Sequence, residues 1–246
     1  MNVAIPLITS VISLVFALTV LDQFLERKRP YQAAWTAGLL LYATASLLQA
    51  LWGIGVYGEV VFRLWYWTGG MLVAAYLGMG SLYLHVPRKV GHTTLAVLLA
   101  LTVLSVFLSL GVKLQGDVSL LEGGGLASVV PGTESGRYYP AYVGILTAVL
   151  NILGSLALVG SAVYSAISFA RKKAAGYRVL SNGLIAGGAF FSAAGGTLER
   201  FNLPESHSLA LLVGVVLIYA GFLRSREVFE VYRIPFVRKA KEAGRG

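Results

Sequence analysis

Residues 3–29 read VAIPLITSVISLVFALTVLDQFLERKR: an apolar run with no charge before Asp22, closing on a cluster of bases. Both signals that decide the fold are in that stretch. About 20 apolar residues wound as an α-helix match the roughly 30 Å hydrocarbon layer of a bilayer. Lys and Arg gather where a span meets the cytoplasm. No basic residue precedes the apolar run, so it is expected to be a first span with an external N-terminus rather than a cleaved signal peptide.

The pattern recurs. Apolar segments follow at 33–54, 62–85, 93–113, 141–169, 180–198 and 206–223, the fifth long enough to tilt or project. Hydrophobic residues make up 57% of the 246, charged residues 13%, and the mean hydropathy is +0.73. Too few charges remain to cover a water-facing surface, whereas a bilayer requires that composition. The expected fold is an all-α membrane protein of seven transmembrane helices occupying 1–223, followed by a basic tail at 224–246. A soluble catalytic domain has no room between the spans.

Orientation follows from the bases. Arg27, Lys28 and Arg29 follow span one; Arg88 and Lys89 follow span three; Arg171, Lys172, Lys173 and Arg178 follow span five. Seven more lie in the tail, and only Arg63, Lys113, Arg137 and Arg200 fall on the other side. This alternation predicts N-terminus out and C-terminus in. It also accounts for the net charge of +9 without a nucleic-acid partner. Trp52, Tyr57, Phe62, Trp65, Tyr66 and Trp67 cluster around the turn between spans two and three, where an interfacial belt is expected. Segment 114–140, with its glycine triplet, Pro131-Gly132 and Pro140, reads as an irregular outer loop. The tail mixes apolar residues with bases, as a segment lying on anionic lipid would.

The sequence also resembles itself. Arg27-Lys28-Arg29 aligns with Arg171-Lys172-Lys173, Gly38-Leu39-Leu40 with Gly183-Leu184-Ile185, and Tyr76-Leu77-Gly78 with Tyr219-Ala220-Gly221. Segments 1–90 and 141–228 would then be parallel three-helix repeats joined by span four. Such a 3+1+3 plan is that of SWEET transporters, although the Pro-Gln pair opening a helix in that group is missing.

Polar groups inside a membrane are costly and are read first as functional. Glu59 and Arg63 stand four residues apart, which places carboxylate and guanidinium on one helix face. The bland reading is an interfacial ion pair; the functional one is an outward ligand contact beside Trp65 and Tyr66. Glu199 and Arg200 end span six on the same side. Gln49 and Asn151 lie within spans, as does Asn182 near the start of span six; interhelical hydrogen bonds are their ordinary use and a ligand pocket the sharper one. Gly183 and Gly187 mark a close-packing face. His85, His92 and His207 have no metal-ligand spacing, and there is no cysteine. No GxSxG, HExxH or P-loop appears, and span seven lacks a lysine for a retinal Schiff base. Neither an enzyme nor a cofactor is expected.

The stretch from Arg27 to Lys89, with Arg29-Pro30, Trp35, Arg63-Leu64-Trp65-Tyr66, Gly69 and Tyr76-Leu77-Gly78-Met79-Gly80, resembles a family of uncharacterised bacterial seven-transmembrane integral membrane proteins. Arg178-Val179-Leu180-Ser181-Asn182-Gly183 and Gly195-Gly196 resemble it too. The layout is more distantly similar to seven-helix sensor modules of bacterial histidine kinases. The resemblance implies a multi-pass protein of the bacterial cytoplasmic membrane. The expectation is a non-enzymatic, sensor-like bundle whose outward pocket, lined by spans two, three, six and seven, takes a small molecule. A cytoplasmic protein partner would dock at 171–178 or the tail. The alternatives are a small-solute or lipid transporter and a scaffolding subunit.

Overall fold

A computed structural model describes residues 3–115, 118, 138–171, 176–199 and 206–226; at 177, 178, 195–199, 206, 225 and 226 it describes the backbone alone. Seven helices account for nearly all of these residues: α1 Ala4–Arg27, α2 Pro30–Gly53, α3 Glu59–Leu82, α4 Arg88–Leu110, α5 Ala141–Arg171, α6 Gly176–Glu199 and α7 Ser206–Arg226. Each predicted span falls on one of them with ends shifted by a few residues. The long fifth helix has 31 residues, about 46 Å at 1.5 Å per residue.

Local chemistry sets the breaks. Lys28 adopts a left-handed conformation (φ 50°), its N–H closing α1 on the Phe24 carbonyl at 2.7 Å. Pro30 then opens α2, where its missing N–H costs nothing. Gly55 and Gly58, both at positive φ, turn the chain between α2 and α3. Pro87 precedes α4.

The rim is apolar, unlike that of a water-soluble bundle, and hydroxyls are buried alongside an apolar core. Val11, Phe107, Ile145 and Leu156 are more than half exposed, whereas Ser105, Ser109 and Thr147 are fully buried. Apolar side chains on the rim and hydroxyls within are what hydrocarbon selects, since buried polar groups pair with one another and the rim has nothing to hide. Six of the helices meet the length and apolarity of a span, with a shorter apolar stretch, Val179–Ala194, in α6. The chain is a multi-pass membrane protein.

Six helices close a ring in the order α1, α2, α3, α5, α6, α7 and back to α1. α4 stands outside it, and among the described residues its substantial contacts are all with α3. Two crossings bring backbones together: a Cβ at Gly78 of α3 would strike the Gly154 backbone of α5, and one at Gly188 of α6 would strike the Gly214 carbonyl of α7. Close approach of this kind supplies dispersion and weak polar contacts where burial from lipid gives no hydrophobic gain.

The bundle has two unlike ends. One carries exposed Arg27, Lys28, Arg29, Arg88, Lys89 and Arg171; Lys172 and Lys173 lie outside the described residues. The other gathers Trp52, Tyr57, Phe62, Trp65, Tyr66, Tyr138 and Tyr139. The expected irregular loop at 114–140 lies largely, and the tail from 227 wholly, outside the described residues.

Candidate functional site

At the aromatic end the Glu59–Arg63 pair forms as its spacing predicts: Arg63 Nε donates to Glu59 Oε1 at 2.7 Å, and Nη2 lies 2.6 Å from the same oxygen. The carboxylate is exposed, but the arginine is buried and reaches inward. Its Nη1 donates to the Ser109 carbonyl of α4 at 2.6 Å, and Ser109 Oγ donates back to the Arg63 carbonyl at 3.2 Å. Tyr139, just before α5, donates to the same Ser109 carbonyl at 3.0 Å and stacks beside Tyr66 and Phe62. Burial pushes the Tyr139 phenol up to about 12, against the opposing pull of the Ser109 hydrogen bond and the Arg63 charge. It therefore stays a neutral donor. Charge and hydroxyls together pin α3, α4 and the start of α5.

One turn deeper, residues Tyr66–Leu72 of α3 form a π-helix. Wider i→i+5 winding leaves a carbonyl facing sideways, and the Asn151 amide of α5 donates to that of Gly70 while also bonding Thr147 O at 3.0 Å. Tyr66 OH donates to Thr147 Oγ1 at 3.1 Å, and Trp67 Nε1 to Ser105 Oγ at 2.9 Å. Trp65 is buried in the same cluster. Gln49 lies apart, on the α2–α7 seam, donating to Ser208 Oγ at 2.9 Å. The Glu199 side chain and Arg200 lie outside the described residues.

The structure thus brings Glu59, Arg63, Trp65, Tyr66 and Asn151 into one polar and aromatic seam and leaves Gln49 out. The heads of Arg63, Tyr66 and Asn151 are engaged by neighbouring helices, and Glu59 by Arg63 of its own helix. Ser105, Ser109, Tyr139 and Thr147 complete the seam and were missed, because a buried serine or threonine carries no signal until its neighbour across the helix crossing is known.

A second site was also missed. Within the ring, toward the basic end, lies a partly open cavity of about 40 Å³. Phe16 and Val20 of α1, Leu39 of α2, Leu77 of α3, Leu158 of α5, Ile185 of α6 and Phe222 of α7 all face it. Every ring helix contributes, and none of the predicted site residues does. The wall is apolar except at one place. Trp35 of α2 turns the pyrrole edge of its indole onto α3 where Gly80 leaves room for it, its Nε1 donating to Leu77 O at 3.2 Å and Ser81 Oγ at 3.4 Å. Tyr31 meets its edge at 5.4 Å. Because the lining residues are ordinary span residues, only the ring arrangement makes them a site.

Beyond the cavity, His85 bonds the Ser81 carbonyl and Ser165 Oγ, each at 3.1 Å, tying the end of α3 to α5; His92 bonds Tyr83. Among the described residues no group of three His, Asp or Glu side chains is placed to hold a metal. No family model matches the chain, and no curated protein or solved structure matches it either.

Proposed function

We propose that this protein is a non-enzymatic, sensor-type membrane bundle whose ligand enters the central cavity, and that the ligand is small and predominantly apolar. One observation carries the reading: a single cavity receives side chains from all six ring helices. Whatever occupies it bears on every helix at once, which is what a receptor needs to convert occupancy into a change of shape. At about 40 Å³ the space is well below the roughly 300 Å³ or more of small-molecule pockets, so occupancy must push the helices apart. In this reading the basic end faces the cytoplasm, and a protein partner reads the change there, at 171–178 or the tail.

Adamantyl diazirine, a small photoreactive hydrocarbon, tests this in lipid nanodiscs. It should label peptides carrying Leu77 or Ile218, which also lines the cavity, as well as the lipid-facing Phe107. Leu158→Phe, which fills the cavity, should abolish the former and spare the latter. Labelling confined to lipid-facing residues in the parent protein would reject the cavity as a site.

A second reading is a transporter of 3+1+3 plan. It is favoured by the exclusion of α4 from a ring that two sequential three-helix groups complete. A polar cargo would have to break the engagements of Gln49 and Asn151, so a lipid is the better-suited cargo. Proteoliposome flux that survives cavity filling would support this reading over the first.

A further inference from the structure

The cavity has a polar pole, and the pole has a sense. Of the described lining residues only Trp35 and Ser81 carry side-chain heteroatoms, and they sit together. Ser81 gives its proton to the carbonyl of Leu77 at 3.2 Å, one turn back on its own helix. Trp35 Nε1–H divides itself between that same carbonyl and Ser81 Oγ, at 3.2 and 3.4 Å. Both contacts are longer than the ~2.9 Å of a well-formed N–H···O bond, and the Leu77 carbonyl is shared by two side-chain donors. An indole nitrogen can only donate. The pole therefore has one N–H to offer and weak partners to give up. Trp35 is also half-buried, and its place on α3 rests on these two long contacts and on the room that Gly80 leaves for it.

We propose that the cavity ligand, on the reading given above, is an apolar molecule with a single hydrogen-bond acceptor, such as a ketone, ester or ether oxygen. That acceptor takes the Trp35 N–H as the indole lifts from Gly80. The apolar body lies among Phe16, Leu39, Leu158 and Phe222. Trp35 is then both the edge of the cavity and the group that orients what enters, and a plain hydrocarbon lacks the contact that rewards displacing it.

The test compares cyclohexanone with methylcyclohexane, near-isosteric rings that differ in the carbonyl, as competitors of adamantyl-diazirine labelling of the cavity at matched bilayer concentrations. The ketone should compete about fivefold better, the worth of one net hydrogen bond. Trp35→Phe, which keeps a ring and removes the N–H, should erase the difference. Gly80→Ala keeps the indole but places a methyl group on its Cδ1 and Nε1, and should reduce the preference by shifting the donor. Equal competition by the two rings in the parent protein would overturn the acceptor assignment while leaving an apolar site in place. A ketone preference that persists in both variants would overturn Trp35 as its origin. No cavity labelling at all would remove both the site and the assignment.

Discussion

Tyr139 donates its hydroxyl proton to a carbonyl that already receives Arg63, and it can do so only while protonated. Its folded value of about 12 stands above the 10.0 of a free phenol because burial penalises the phenolate. For a raised pKa the contribution to stability is complete below the unfolded value and is lost as pH climbs through the folded one. Thermal unfolding in detergent should therefore show stability falling between about pH 10 and 12. Tyr139→Phe should be less stable at neutral pH, having lost its hydrogen bond, and should show a shallower alkaline slope. An unchanged slope would mean that another phenol governs the transition. The Glu59–Arg63 contact was legible because helical spacing alone determines it. Ser109 and Tyr139 were not, since nothing local says which carbonyl a buried arginine will find.

The helices carry two devices that periodicity could not reveal. In α3 the Gly69–Gly70 pair sits within the π-helical stretch, where weak helix propensity eases the wider winding and Asn151 takes up the diverted Gly70 carbonyl. Apolar period marks a span but cannot distinguish ordinary α winding from a local i→i+5 widening, so α3 reads as an ordinary helix. Asn151 was flagged as a polar residue in a span, and its role as a π-turn partner needed the facing helix. Glycine spacing pointed to close packing on α6, and Gly188 does meet Gly214; Gly183 and Gly187, the pair singled out, have open space around them. The tighter approach is on α5. Gly154→Ala should destabilise the bundle by on the order of 1–3 kcal/mol, because the added methyl meets the α3 backbone at Ala74 and Ala75. Gly160→Ala, with nothing near, should stabilise it by up to about 1 kcal/mol through helix propensity. Denaturation of the two variants side by side decides whether that crossing is as close as described.

At the scale of the molecule, the apolar helices and their approximate limits were readable because a bilayer imposes length and apolarity on each segment separately. The order of helices around the ring was not, because neighbours are chosen by contacts between segments far apart in sequence. That is also why the cavity escaped notice: its lining is one or two ordinary residues from each helix. The basic clusters predict the orientation, and the absence of native cysteine makes it simple to test. Membrane-impermeant maleimide on right-side-out cells should label Tyr57→Cys, in the α2–α3 turn, and spare Arg29→Cys; the reverse pattern would invert the assignment. The place of α4 bears finally on how the chain is made. When α4 leaves the ribosome, α1–α3 already exist as a set, yet the flank of α3 that α5 will occupy is still empty. By settling against a different part of α3, α4 leaves that flank free and carries the chain back across the membrane, so that α5 arrives in the same direction as α1. The second set can then assemble onto the first without prying open an earlier contact, so the ring order is compatible with assembly in the order of synthesis.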